Sequence, residues 1–212
     1  MRRICTGSRT NKSLTANQRQ VIGLSAGIRY RVPEQNIQTQ TDVKRSMHVD
    51  ECKLLARYNR WMNERLYDVC SRLPDEERKK DHKAFFGSIH GTLNHLLLGD
   101  RVWLGRFVNK PFQVESLAQE LYSDFDQLRE ERSLTDAQII QWAEGLSDTA
   151  LNGDLTYTSI VNPVERTQKM AVAVIHFFNH QTHHRGQLTT LLSQRGLDYG
   201  VTDLIWMPEA DI

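Results

Sequence analysis

The chain has 212 residues, 39% of them apolar and 25% charged, with a net charge of +1. That length suits one domain with an extension, or two small domains, and no apolar run reaches the roughly 20 residues of a membrane span. The basic start, MRRICTGSRTNKSLTANQRQ, lacks the apolar stretch of a secretory signal, so the sequence reads as a soluble cytoplasmic protein.

Charge is unevenly spread. Residues 1–46 hold nine Lys/Arg and two acids, or +7, which leaves 18 basic and 24 acidic residues, or −6, for the rest. An acidic main part argues against nucleic acid as a partner, because phosphate-backbone binders present basic faces. Residues 1–46 are rich in Gln, Asn, Thr, Ser and Arg and show no helical or strand period, so a disordered basic extension is expected. Met47 stands just ahead of the first helical pattern. Either it is the natural start or the extension is genuine; the expected division is 1–46 and 47–212. Cys5, Cys52 and Cys70 are odd in number, far apart and form no CxxC pair, which argues against a disulfide framework and a cysteine zinc site.

From Asp50 apolar residues recur at helical spacing, among them Leu54, Trp61, Leu66 and Leu73. They predict a first helix over 49–73, ending ahead of Pro74. The charged run DEERKKDHK is a connector with room for a helical turn. A second helix is predicted over 84–108, with Phe85, Phe86, Ile89 and Leu93 on its apolar side. A third starts at Ser116 and extends to about Leu146, with a possible break at Ser133–Asp136. Residues 152–168 contain the β-prone LTYTSI and the turn pair Asn162-Pro163, so a short hairpin or irregular connector is expected there. A last helix is predicted over 169–195, with Gly196 closing it. The tail is expected to pack Leu204, Ile205 and Trp206 back on the helices.

The chemistry lies in the histidines. His180 and His184 are four residues apart, which puts both rings on one helix face with Cβ atoms about 5–6 Å apart. Two imidazoles so spaced can chelate one ion. The pair sits among core-type residues such as Val172, Ile175, Phe177 and Leu188. A third ligand must come from another element. His90 and His95 differ by about 140° around the second helix, so both cannot face one ion. His95 joins Ser88 and Thr92 in a polar stripe on a mostly apolar helix, and buried polar groups need partners. That makes His95 the candidate. His176 is read as a supporting or core residue, His90 as structural, and His183 as facing solvent or a neighbouring helix. Gln187 could bond a ligand or the interior. Arg185 is read as a structural pairing residue, Asp100 as half of a surface ion pair, and Trp61 and Trp103 as core.

Three segments carry a resemblance to a known family. LLARYNRWMNERLY (54–67), FFGSIHGTLNHLLLGDRVWLGRF (85–107) and HFFNHQTHHRGQLTTLL (176–192) resemble the DinB (damage-inducible, YfiT-like) family, which is distinct from the DNA polymerase of the same name. The resemblance covers about Met47 to the C-terminus. It implies an all-α, up-down-down-up four-helix bundle and a metal triad of His95, His180 and His184. Zinc is the first choice of divalent ion, with nickel, iron and manganese also compatible with imidazole. It further implies a homodimer and activation of a low-molecular-weight thiol or another small-molecule substrate, since relatives include thiol S-transferases and a mycothiol-dependent isomerase. The expected function is therefore a metal-dependent enzyme for S-transfer or hydrolysis. The alternative is a non-catalytic metal-binding stress-response protein.

Overall fold

The computed structural model describes residues 47–160 and 163–208. The expected extension over 1–46, Cys5 and Asn162 of the expected turn lie outside the described residues. The first helix, α1 (Val49–Cys70), starts where its carboxylates suit it: Asp50 and Glu51 lie in the first turn, and Glu51 accepts the His48 N–H at 3.1 Å. It stops three residues short of the prediction, and a turn closed by Leu73 N–H on the Cys70 carbonyl leads into Pro74. The charged connector contains a short helix, α2 (Asp75–Lys79).

Two helix starts fall later in the chain than their apolar spacing suggests. Helix α3 (Ile89–Phe107) begins at Ser88, whose hydroxyl accepts the Gly91 N–H at 2.9 Å. Gly87, at φ +71°, turns the chain just before it in a conformation glycine adopts freely. Phe85 and Phe86 therefore precede the helix, and Phe85 is 83% exposed. Helix α4 (Phe125–Glu144) is capped by Asp124, whose carboxylate accepts the Gln127 N–H at 2.8 Å, and it runs unbroken through Ser133–Asp136. The Thr135 hydroxyl donates to the Glu131 carbonyl within the helix. A short helix, α5 (Asp148–Asn152), leads into the antiparallel strands β1 (Asp154–Thr158) and β2 (Glu165–Lys169), paired from Asp154↔Lys169 to Thr158↔Glu165. The last long helix, α6 (Met170–Ser193), ends in a turn where Gly196 takes φ +69°.

Helix α1 packs on α4 and α6, and α3 packs on the same two, so the contacts of the four long helices form a closed ring. Two apolar clusters fill the interior. One gathers Met62, Leu66, Leu93, Leu97, Leu128 and Leu188; the other gathers Cys52, Leu104, Ile139, Val174 and Phe177. Buried polar residues fall between them in the middle of each helix: Asn59 and Asn63 on α1, Asp100 on α3, Arg132 and Asp136 on α4, Gln181 and Arg185 on α6. Helices α1 and α6 run from the second cluster to the first, and α3 and α4 run the other way.

Cys52 and Cys70 are buried free thiols, and burial pushes them up to about 11 and about 12. The tail departs from expectation. Ile205 and Trp206 are 79% and 68% exposed, and Met207 is the residue that tucks in. Val172 and Ile175 of α6, read from the sequence as core, face outward. No helix among the described residues is long and apolar enough to cross a membrane.

Candidate metal centre

The ring of helices brings together one histidine from α3 and two from α6. Nε2 of His180 lies 3.3 Å from Nε2 of His95 and 3.1 Å from Nε2 of His184, and one nitrogen from each residue lies within 4.8 Å of the others. Nitrogens bonded at 2.0–2.1 Å to one tetrahedral ion would stand about 3.3 Å apart. The spacing therefore suits a single ion with no rearrangement of the helices. Among the described residues, no further His, Cys, Asp or Glu joins this group.

Hydrogen bonding on the far side of the rings sets which nitrogen faces inward. Nδ1 of His95 lies 2.8 Å from the Leu117 carbonyl, which can only accept, so Nδ1 carries the proton and Nε2 keeps its lone pair. Nδ1 of His184 donates in the same way to Oε1 of Gln187 at 2.8 Å. Such outer partners orient metal-binding histidines and raise their basicity. Lone pairs converging at 3.1–3.3 Å repel one another unless a cation or proton lies between them. A second, charging proton is disfavoured, since burial holds His95 down to about 4 and His180 down to about 3, with the neighbouring rings adding to the effect at His180. The single proton of neutral His180, whose Nδ1 has no partner among the described residues, can lie on Nε2 between the rings, where a metal ion would displace it to Nδ1. His184 is lowered as well, again chiefly by burial. Three neutral, inward-facing nitrogens are the donor set a divalent metal requires.

Several supports for this cluster were hidden in the sequence. Phe86 stacks on His95 with ring centroids 3.7 Å apart and presents its edge to His184. Gly99, one turn beyond His95, makes room for His180: a Cβ at that position would stand 2.8 Å from Cε1 of His180. A glycine inside an apolar helix four residues after a candidate ligand was the available signal. The polar stripe that singled out His95 has another origin. Ser88 is the helix cap, and Thr92 donates to the Ser88 carbonyl at 2.8 Å, so neither turns toward the histidines.

The remaining sequence expectations divide. Gln187 bonds a histidine of the cluster, and His90 is structural, its Nε2 donating to the Tyr122 carbonyl at 2.9 Å. Arg185 is a buried pairing residue, bonded to Asn59. Asp100, by contrast, is no surface residue. It is fully buried and accepts from Arg132 at 2.6 Å, because positions 96, 97 and 100 share the inward face of α3. His176 lies outside the group of three and is exposed; its ring stands 6.0 Å from that of His180 and 4.9 Å from Trp103. Trp103 is half-buried, with its ring against Phe107, Tyr157 and His176.

One side of the cluster opens on a cavity of about 250 Å³, whose lining includes His95, His180, Gly99, Trp103, Arg106 and His176. A ligand entering it could reach the nitrogens of two of the three histidines. The buried polar belt of Asp100, Arg132 and Asp136 lies inward, away from this lining.

The comparisons with known proteins bear on the same part of the chain. The family model described as DinB family matches residues 43–211. Protein DinB of Bacillus subtilis (strain 168) is 30% identical over 164 residues, covering 70% of this chain and 88% of that protein. The crystal structure of a DinB-like protein from Bacillus cereus ATCC 10987 shares 17% identity at a TM-score of 0.49, over 66% of this chain and 90% of that one. The family match takes in every element from α1 to α6 and all three clustered histidines, and on it, together with the Bacillus subtilis relative, this chain belongs to the DinB family, the YfiT-like group rather than the polymerase of that name.

Proposed function

We propose that the protein is a metal-dependent enzyme in which His95, His180 and His184 hold one divalent ion, zinc in the first instance, and that the site activates a small thiol, or water, for S-transfer or hydrolysis. The observation that carries this reading is the convergence of three neutral imidazole nitrogens, 3.1 and 3.3 Å between successive pairs, beside an open cavity. An ion there would supply Lewis acidity that lowers the pKa of a thiol or water. The chain itself contributes orientation and exclusion of water. Leu117 and Gln187 fix two of the rings, Phe86 stacks on one of them, and the cavity reaches His95 and His180.

A non-catalytic metal-binding role in stress response would need no ligand access. The cavity that reaches His95 and His180 favours the enzymatic reading. We read the four long helices as the up-down-down-up bundle of the family, which the alternating order of the two apolar clusters along them supports. A homodimer belongs to the same proposal. It is supported by the outward-facing Val172 and Ile175 on α6 and is open to test by light scattering.

Elemental analysis tests the site directly. The purified protein should carry about one divalent metal per chain, and His180→Ala and His184→Ala should each abolish it while keeping the helical circular dichroism signal. Metal content unchanged in both variants would remove the basis of the proposal. Turnover of small thiols with electrophiles by the zinc- or nickel-loaded protein then separates enzyme from metal store.

A further inference from the structure

The face of α3 that carries His95 continues past the histidines. Gly99, Val102 and Arg106 follow at four, seven and eleven residues, one side of one helix, and all line the same cavity as His180. From Gly99, which backs His180, to Arg106 is seven residues, or about 10 Å along the axis. Arg106 also borders a second cavity of about 500 Å³, enclosed by the loop after α3 and by β1. The two cavities share Val102, Arg106, Tyr157, Ser159 and Ile160 and so form one cleft with the histidines at its inner end.

Arg106 is the only Lys or Arg among the described residues lining this cleft. Its guanidinium carbon lies 4.5 Å from the Trp103 ring centre and 4.4 Å from that of Tyr157, so two aromatic rings hold it in place. Only one of its five N–H donors meets a protein acceptor among the described residues, the Thr158 carbonyl at 3.3 Å. No Asp or Glu pairs with it there, and burial disfavours its charge. A half-buried cation, held between two rings, without a counter-ion among the described residues and open to a cleft, is arranged to receive an anion. A planar guanidinium matches a carboxylate with two parallel bonds. A doubly charged phosphate would find no second cation in the lining and would meet Glu115.

We propose that Arg106 anchors a carboxylate on the substrate, so that the molecule lying in the cleft is a carboxylate-bearing thiol. The thiol end rests on the metal reading above; the carboxylate end does not.

Calorimetric titration of the full chain separates the two. The zinc-loaded wild type should bind 6-mercaptohexanoate at least ten-fold more tightly than 6-mercaptohexanol. Arg106→Gln should remove that preference and leave the alcohol's affinity and the zinc content as they were; Arg106→Lys, which keeps the charge but loses the fork, should retain part of it. Equal binding of acid and alcohol by the wild type would overturn the proposal. So would an equal loss of both in Arg106→Gln, the mark of a residue that merely positions the hairpin through Thr158. Titration of hexanoate into metal-free protein reads Arg106 without the metal: binding lost in Arg106→Gln sustains the carboxylate site even if zinc is never held, and binding absent in the wild type or indifferent to the substitution refutes it.

Discussion

Gly99 stands one turn beyond His95 on α3, and a methyl group there would lie 2.8 Å from Cε1 of His180. That contact is too short to keep, and the flexible partner is the imidazole, so Gly99→Ala should push His180 out of the triad while α3 itself tolerates alanine well. Zinc affinity should fall roughly 10–100-fold, the range seen when the surroundings of a ligand are disturbed, with little change in melting temperature of the metal-free protein. Competition with a chromophoric chelator measures it. The burial of the rings has a second consequence. In the unfolded chain these histidines titrate near 6.5, whereas folding lowers His95 to about 4 and His180 to about 3. Between those values the unfolded state binds more protons, so the stability they contribute is whole above about pH 6.5 and is lost as pH falls, down to about 4 for His95 and about 3 for His180. Asp100 works in the opposite sense, because burial pushes it up to about 7. The histidine share is therefore read by comparison: the melting temperature of metal-free His180→Asn should depend less steeply on pH between 6.5 and 4.5 than that of the wild type. At this scale the clustering of His180 with His184 was legible, since histidines four apart on an apolar helix stand out. Gly99 and Phe86 were not, because what they do depends on a ring from a different helix.

At the level of elements, apolar spacing located every long helix but misplaced two starts. Leu117, Leu121 and Phe125 recur at helical intervals, yet residues 115–124 form a loop whose backbone is satisfied from outside. Asn94 on α3 accepts the N–H groups of Leu121 and Tyr122 at 2.8 and 3.0 Å and donates to the Tyr122 carbonyl at 3.0 Å. His90 donates to the same carbonyl. A side chain from a helix distant in sequence thus offers what a helical turn would have offered, and Asp124 then caps α4. The same anchoring presents the Leu117 carbonyl to His95. Asn94→Leu should strand two backbone donors, costing about 1–3 kcal/mol for each donor that water cannot reach, while the Tyr122 carbonyl keeps its bond from His90. The fold should lose stability in urea, and zinc affinity should fall because His95 loses its orienting partner. Loss of stability with unchanged zinc affinity would mean that the loop does not govern the ring.

The four long helices together are tied across their middle by charge. Arg132 donates to Asp100 of α3 at 2.6 Å and to Asp136 of its own helix at 2.8 Å; Asp136 also accepts from Asn59 and Asn63 of α1, and Arg185 of α6 bonds Asn59. All four long helices meet in this belt, between two apolar clusters that would otherwise merge. Sequence alone offers little warning of it. Asp100 reads as half of a surface ion pair, nothing in the pattern singles out Arg132 or Asp136 as buried, and the burial of all three is decided only when four helices close around them. Such a network is weak evidence of net stability, because desolvation opposes the attraction, but removing one partner leaves charge buried without compensation. Arg132→Met should leave Asp100 and Asp136 in that state and cost about 3–5 kcal/mol in urea unfolding. The triple replacement Asp100→Leu, Arg132→Met, Asp136→Leu should recover part of the loss, since it removes the two stranded carboxylates, while Asn63 loses its acceptor and the buried Arg185 loses two nearby anions. If the belt also sets helix register, the triple variant will fold stably yet bind zinc less tightly, because His95 on α3 and His180 on α6 must stand at matching heights to meet. Full recovery of both stability and zinc affinity would confine the belt to a filler role and leave alignment of the triad to the apolar packing alone.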